Sequence, residues 1–272
     1  MMMVNHDGHS IPLLSVHVTE LVDGYFVGCS MNHADNDERF DTNSIINLPF
    51  SNPDEFIGRY PPPPLVEKIY HISGQSMSQL KQKANNESLS ALVWRSLTRA
   101  RGLHAAQETK CDICINDRDR LNPPLSEDYF GCYLDVVMGK TKTWNLLNQN
   151  LGSAALILHE TVADHTDEYI RSWLKDWKKE PAFYNLRSHY DGCSMVIGGS
   201  PRFNPYEGDF GWGKPLAVRS GWTYKFSGTV WMNPGQVGGA SVDLEICLSP
   251  EAMHALESDE EFMGVVSPSH EG

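Results

Sequence analysis

The apolar positions near the start of the chain form two short runs on either side of a turn dipeptide. The stretch Leu13–Glu20 alternates apolar and polar residues, Asp23-Gly24 follows, and Tyr25–Ser30 is again largely apolar. Two such runs around an Asp-Gly step are typical of a β-hairpin. The pattern therefore predicts two antiparallel strands, with His33 just past the end of the second.

A proline-rich stretch separates this hairpin from the rest of the chain. Asn52–Pro64 contains four consecutive prolines at its end. Proline lacks a backbone N–H and has a fixed φ, so this stretch cannot form a helix or a central strand. It predicts an extended crossover.

Beyond the crossover, the apolar spacing switches repeatedly between helical and strand periods. Leu89, Leu92, Val93 and Leu97 recur at helical spacing, and Gly102 follows as a stop signal. Helices are predicted over Ser76–Lys83, Ser88–Arg101, Glu251–Leu256 and a long stretch Asn145–Trp177 with a break near Gly152. Strands are predicted over Lys68–Ile72, Asp112–Asn116, Cys193–Gly198, Lys225–Met232 and Ser241–Leu248. Because helices and strands mix throughout, the predicted fold class is α/β.

Charge and composition narrow the set of partners. The formal net charge is −13, with 22 basic and 35 acidic side chains. A protein that binds nucleic-acid phosphates carries a basic surface, so we expect no nucleic-acid partner. An anionic ligand such as CoA would need a local basic patch against this background.

Neither a membrane nor an oxidising compartment is indicated. No apolar run approaches the roughly 20 residues of a membrane helix, and the first residues lack the pattern of a secretory signal. The six cysteines are scattered, and the pair Cys111 and Cys114 has no second pair nearby. We therefore predict free thiols, a cytoplasmic protein, no membrane partner and no metal site.

Two histidines in the long helical stretch suggest a zinc-binding helix but do not complete its motif. His159-Glu160 begins like a zinc-protease helix, but Ala163 stands where the second histidine would be. His165 is at a poor helical spacing from His159. Both are predicted to lie on a solvated helix with acidic neighbours.

Two short motifs carry the functional signal. His33 and Asp37 form an H-x-x-x-D pattern, which arises easily by chance. Far downstream stands D-F-G-W-G, followed by Lys-Pro; its five specified residues make it the more specific signal. These residues are Asp209, Phe210, Gly211, Trp212 and Gly213.

In these two motifs the chain resembles the BAHD acyl-CoA-dependent acyltransferases of plants. The likeness extends from about Leu13 to Phe262 and includes Ile46–Phe50, Ser90–Arg101, Asn116–Gly131 and Val242–Phe262. The resemblance implies two α/β domains of the chloramphenicol-acetyltransferase type, with a channel between them. It also implies acyl-CoA as co-substrate, a small-molecule alcohol or amine as acceptor, and no bound cofactor.

The resemblance assigns His33 as the catalytic base. An imidazole titrates near neutral pH and can take the acceptor's proton as the new bond to the acyl carbon forms. The thioester is already activated, so no covalent acyl-enzyme is required. In the family, the D-F-G-W-G segment lies away from the chemistry, and its glycines would allow positive φ or close backbone approach.

Asp37 admits two roles. It could orient the imidazole of His33, as in a catalytic triad. The family instead pairs this aspartate with an arginine, so we expect a structural ion pair with either Arg118 or Arg120, and the choice between them stays open.

The chain is short on the amino-terminal side of the histidine motif. Only 32 residues precede His33, so most of the first domain of a family member is expected to be missing. Residues 1–60 would be the remnant of that domain with the crossover at its end, and 61–272 the second domain. Two functions follow: an acyltransferase acting as a monomer, or a catalytically inactive remnant that at most binds a partner.

Overall fold

The structure is a computed structural model that describes residues 12, 14–31, 63–83, 87–126, 128, 133–181, 191–201, 203–221 and 225–267. Nearly all of the predicted crossover over Asn52–Pro64 lies outside these ranges. His33 and Asp37 lie outside them as well.

The predicted hairpin is confirmed. Strand β1 (Leu14–Glu20) pairs antiparallel with β2 (Tyr25–Met31), in a register that opposes Glu20 to Tyr25 and Leu14 to Met31. The Leu21 N–H closes the turn by donating to the Gly24 carbonyl at 2.8 Å. The hairpin forms a sheet of its own.

A second, six-stranded sheet is the centre of the fold. Its strands lie in the order β3-β8-β7-β6-β4-β5. The pairs β4–β6 and β6–β7 are parallel and the remaining neighbours are antiparallel. The strands are β3 (Val66–Ile72), β4 (Glu108–Asn116), β5 (Leu134–Lys142), β6 (Ser194–Gly198), β7 (Thr229–Pro234) and β8 (Val242–Leu248).

Helices are interleaved with these strands, which confirms the α/β class. They are α1 (Gly74–Lys83), α2 (Ser88–Ala100), α3 (Thr143–Asn148), α4 (Leu151–Ala163), α5 (Asp167–Lys179), α6 (Pro250–Glu257) and α7 (Glu260–Met263). A single 3₁₀ turn at Pro205–Glu207 precedes the D-F-G-W-G segment.

Helix α2 packs its apolar side chains into one hydrophobic core together with side chains of the six-stranded sheet. Leu92, Trp94 and Leu97 are almost fully buried there. The one polar atom of the Trp94 side chain is satisfied, because Nε1 donates to Thr109 Oγ1 at 3.0 Å. The predicted helical face of α2 is therefore the one that is buried.

The predicted long helical stretch Asn145–Trp177 is divided among α3, α4 and α5. The predicted break near Gly152 is confirmed, since α3 ends at Asn148 and α4 begins at Leu151, but the second break, after α4, was not predicted. Asn150 and Thr166 each cap the helix that follows, accepting the N–H of Ser153 and of Tyr169. Side-chain oxygens of this kind satisfy otherwise unpaired first-turn N–H groups and so favour a helix start.

Three strand predictions need correction, and one of them is β7, which begins at Thr229 rather than at Lys225. Strand β5 has no counterpart in the sequence prediction, and β4 begins at Glu108 rather than at Asp112. The missed start of β4 is polar, whereas β5 was missed although it contains Leu134, Val136, Val137 and Met138. Thr109 is buried all the same, because its hydroxyl donates to the Cys193 carbonyl at 3.0 Å.

Within the part of the chain that the structure describes, both disulfides and membrane-spanning helices are absent. Cys29, Cys111, Cys114, Cys193 and Cys247 are free thiols there, as predicted. Among the described residues, no helix has the length and apolar character needed to cross a membrane.

Candidate functional site

The hairpin leads directly to the predicted base. Strand β2 ends at Met31, two positions before His33. Since His33 and Asp37 lie outside the described residues, their roles stay predictions. The structure does describe the hairpin, the D-F-G-W-G segment and the turn after β4, which holds Arg118 and Arg120.

One carboxylate oxygen organises the D-F-G-W-G segment. Asp209 Oδ1 accepts the N–H of Gly211 at 2.7 Å and that of Gly213 at 3.1 Å. Two backbone donors converging on one side-chain oxygen form a compact Asx-type turn.

Both glycines of the segment have the backbone conformation expected of them. Gly211 has φ of 94° and Gly213 has φ of 96°. A Cβ at either position would meet nothing within 4 Å. The requirement for glycine is therefore one of backbone conformation and not of space.

The segment contacts the hairpin through an aromatic stack. The rings of Trp212 and Tyr25 have centroids 4.5 Å apart and planes inclined by 20°. Tyr25 begins β2, and the strand then extends about 20 Å to Met31 at about 3.3 Å per residue. The segment thus contacts the start of the strand whose far end leads to His33. That it lies away from the chemistry stays a prediction.

A buried glutamate anchors the chain that follows the segment. Glu245 on β8 accepts the backbone N–H of Ser220 at 2.8 Å and also the Ser220 hydroxyl. Lys225 Nζ donates to Glu245 at 2.5 Å and also pairs with Glu67 on β3. Burial alone would raise the pKa of Glu245, but the hydrogen bonds from Lys225 and Ser220 outweigh it and lower that pKa.

Sequence reasoning did not find this anchor. The signal was a glutamate at a core position of the apolar strand Val242–Leu248, where it is 3% exposed. A carboxylate is rarely buried unless it is paired. The pattern therefore indicates that a partner exists without saying which residue it is.

The two candidate partners of Asp37 lie in the turn after β4. Arg120 Nη1 donates to the carbonyls of Val162 at 2.9 Å and His165 at 3.0 Å, which fastens the end of α4 to this turn. The Arg118 backbone N–H donates to Asn116 Oδ1 at 3.1 Å. The pairing of Asp37 itself is untested.

The predicted solvated helix for His159 and His165 is half right. His159 is exposed on α4, but His165 is 3% exposed in the short link between α4 and α5. There it faces Asp117 and Asp135. Burial raises the pKa of Asp117, and the nearby charges of His165 and Arg120 offset this only in part.

Known proteins are similar to this chain over most of its length. A family model described as Transferase family matches residues 65–263. The BAHD acyltransferase DCR of Arabidopsis thaliana is 30% identical, with 96% of this chain and 64% of that protein covered. The shikimate O-hydroxycinnamoyltransferase of Nicotiana tabacum is 28% identical, with 70% of this chain and 46% of that protein covered.

Solved structures agree on the fold. TRI101 of F. sporotrichioides, complexed with coenzyme A and T-2, has a TM-score of 0.74 at 19% identity, and the match covers 94% of this chain and 70% of TRI101. Vinorine synthase has a TM-score of 0.69 at 17% identity, with 94% and 66% covered. The chain thus spans about two thirds of the length of these proteins.

Proposed function

Because this chain belongs to the BAHD acyltransferase family, we propose that it moves an acyl group from acyl-CoA to a hydroxyl or amine of a plant specialised metabolite. The observation that carries the proposal is the Trp212–Tyr25 stack. It joins the D-F-G-W-G segment to the strand that leads to His33. The two motifs of the family are thereby connected through one hairpin.

His33 is the general base of the proposed reaction. Its imidazole accepts the proton of the acceptor's hydroxyl or amine as that atom bonds to the thioester carbonyl carbon. The tetrahedral intermediate then collapses, the C–S bond breaks, and the same proton passes to the departing CoA thiolate. Acyl-CoA is consumed as a co-substrate, so the proposal needs no resident cofactor.

The names of similar proteins support the substrate classes. TRI101 was solved with coenzyme A and T-2 bound, and the tobacco relative is a shikimate O-hydroxycinnamoyltransferase. The proposal takes from them an acyl-CoA donor and a small-molecule acceptor. We also propose a monomer in the cytoplasm without nucleic-acid or membrane partners. The free thiols support a reducing compartment, and the net charge of −13 argues against a nucleic-acid partner.

Asp37 has a structural role in this proposal. Its partner is Arg118 or Arg120, which both lie in the turn after β4. The division of the chain into a first unit over 1–60 and a second over 61–272 is part of the same proposal. It agrees with the separate sheets formed by the hairpin and by β3 to β8.

A second candidate function is a non-catalytic one, in which the chain at most binds a partner. The observation favouring it is the apolar surface of the hairpin, where Leu14, Val16, Val18 and Phe26 are each about half exposed. Apolar surface of this kind marks interaction sites when it is contiguous.

An assay of CoA release separates the two functions. The purified chain is incubated with a panel of aliphatic and aromatic acyl-CoAs, each with and without hydroxyl and amine acceptors. Acceptor-dependent release of free thiol with at least one pair supports the acyltransferase. If the folded chain neither binds CoA nor releases it from any pair, the non-catalytic function replaces it.

A further inference from the structure

Three side chains from separate parts of the fold converge beside the turn after β4. Asp117 directly follows β4, Asp135 is on β5, and His165 lies in the link between α4 and α5. Their ligand atoms all lie within 4.8 Å of one another. None of the three belongs to the motifs assigned to acyl transfer.

The fold itself brings the three together. Strands β4 and β5 pair so that Ile115 opposes Asp135, and the Asp117 N–H donates to the Tyr133 carbonyl at 3.1 Å. Side chains two apart on a strand share a face, so Asp117 and Asp135 are diagonal neighbours. Arg120 positions the third member, because its bond to the His165 carbonyl fixes the link on which that histidine sits.

The geometry around His165 is not that of an ordinary histidine–aspartate hydrogen bond. Its Nε2 lies 3.3 Å from both oxygens of Asp117 and 3.5 Å from Asp135 Oδ2. Charge-assisted N–H···O bonds are commonly about 2.7–2.9 Å long. Elsewhere in this structure, His71 Nδ1 and Asp243 Oδ1 form such a bond at 2.7 Å.

One of these oxygens is also left without a donor. Asp117 is only 3% exposed, and its Oδ1 has no hydrogen-bond donor within the described part of the chain. This oxygen lies 3.3 Å from His165 Nε2 but accepts no hydrogen bond, so its desolvation is compensated only in part. A cation placed between the three side chains would compensate it.

We propose that Asp117, Asp135 and His165 form a binding site for a divalent first-row transition metal of the Zn²⁺ type. Ligands at about 2.0–2.1 Å from a tetrahedral zinc ion stand about 3.3–3.4 Å apart, and the observed separations of 3.3 and 3.5 Å match that edge. One imidazole nitrogen and two carboxylates are a donor set suited to zinc. Asp135, 31% exposed, provides the open side for a water in the fourth position.

The competing state is a protonated His165 shared between the two carboxylates. The other groups facing the cluster are Arg120, whose charge acts on Asp117, and the ring of Tyr169, with its centroid 5.0 Å from that of His165. With Arg120 included, an imidazolium balances the two carboxylates, whereas a metal with neutral imidazole leaves one positive charge. If His165 is protonated, the cluster should bind no metal at neutral pH. If its imidazole is neutral, the cluster should bind one divalent ion.

Equilibrium dialysis of the full chain against Zn²⁺, followed by elemental analysis, tests the site. The variants are His165→Ala and the near-isosteric Asp135→Asn. The matched control is His71→Ala, which removes the other histidine paired with an aspartate. Circular dichroism confirms that each variant is folded.

We expect wild type and His71→Ala to bind one additional Zn²⁺ compared with His165→Ala and Asp135→Asn. Loss of a ligand should weaken binding by at least the roughly ten- to hundredfold that loss of an outer-shell partner costs. Co²⁺ in place of Zn²⁺ should give visible d–d bands that depend on His165 and carry no thiolate charge-transfer absorption, which excludes the free cysteines as ligands.

Equal metal content in wild type and the two cluster variants would overturn the site. So would NMR spectra in which the His165 ring stays protonated at neutral pH in excess Zn²⁺. Every readout is metal binding and not acyl transfer, so the outcome is independent of the proposed enzymatic function.

Discussion

The carboxylate of Asp209 shows how one residue fixes the conformation of a glycine-containing motif. Its Oδ1 accepts two backbone N–H groups, and these belong to the two glycines that have positive φ. The side chain and the glycines therefore act together. The glycines permit the backbone conformation, and the aspartate makes it the favoured one.

Replacing Asp209 with alanine should destabilise the protein by about 1–2 kcal/mol, since two solvent-accessible hydrogen bonds each contribute about 0.5–1 kcal/mol. Asp209→Asn is the matched control, because an amide oxygen can still accept both N–H groups. Urea unfolding measures the difference. Equal losses for the two variants would show that the acceptor oxygen does not hold the turn.

For single residues, the sequence predicted the conformations that depend only on neighbouring residues in the chain. The positive φ of Gly211 and Gly213 follows from glycine within a turn motif. The burial of His165 and Glu245 did not follow. Their partners are Asp117, Asp135 and Lys225, which are distant in sequence and brought close only by the fold.

Among the elements, the hairpin depends most on what contacts it. An isolated two-stranded sheet is only marginally stable in water. The hairpin forms its own sheet, and the Trp212–Tyr25 stack is an aromatic contact that fixes it to the D-F-G-W-G segment. The position of the strand leading to His33 should therefore respond to changes in Trp212.

Trp212→Ala should loosen the hairpin while leaving the six-stranded sheet intact. An aromatic pair is worth about 0.5–1.5 kcal/mol beyond its buried area, so backbone amides of β1 and β2 should exchange roughly 2- to 12-fold faster. Hydrogen exchange measured by mass spectrometry detects this change. Tyr25→Phe keeps the ring and serves as control.

An unchanged exchange rate in Trp212→Ala would show that the stack does not hold the hairpin. Faster exchange across β3 to β8 as well would show a global loss of stability instead. Only a change confined to the hairpin supports a specific role of the stack in holding these two strands.

Element prediction succeeded where the signal was local and strong. The Asp-Gly turn predicted the hairpin, and the apolar face of α2 predicted its burial. It failed at the start of β4, where polar residues enter a strand through pairing with β5, and it missed β5 itself despite the apolar residues Val136, Val137 and Met138. It also missed the break between α4 and α5, because the cap at Thr166 outweighs the helical spacing around it.

At the scale of the whole molecule, part-buried ion pairs join elements that are distant in sequence. Glu245 binds Lys225 and Ser220, and Asp259 forms a two-point contact with Arg99 at 2.7 and 3.0 Å. For both carboxyls burial raises the pKa, but the hydrogen bonds with their partners prevail and the pKa is lowered.

Acid should therefore destabilise the protein through these groups. A carboxyl whose pKa is lower in the folded than in the unfolded state contributes stability above its unfolded value, about 4, and loses it as pH falls through the folded value. Asp117, whose pKa is raised, works in the opposite sense. Melting temperatures from pH 7 to pH 3 should fall less steeply in Glu245→Gln, which starts from a lower stability at pH 7.

Identical pH slopes in wild type and Glu245→Gln would contradict the coupling of Glu245 to stability. An equal melting temperature of the two at pH 7 would contradict the anchor itself.

The family and the fold class were predictable from the sequence as a whole. The D-F-G-W-G segment is specific, and the α/β pattern follows from alternating periods. The site of His165, Asp117 and Asp135 was not predictable, because no spacing rule links residues from two strands and an interhelical link. Its recognition required the distances between them.

The most direct test of the proposed acyl transfer is the rate of acceptor-dependent CoA release in His33→Ala relative to His17→Ala. His17 is an exposed histidine on β1 of the same hairpin and serves as the matched control. Removal of a general base costs about 10²- to 10⁴-fold. We predict a loss of that size in His33→Ala, with His17→Ala close to wild type; a folded His33→Ala that retains the wild-type rate would contradict the assignment of His33 as the base.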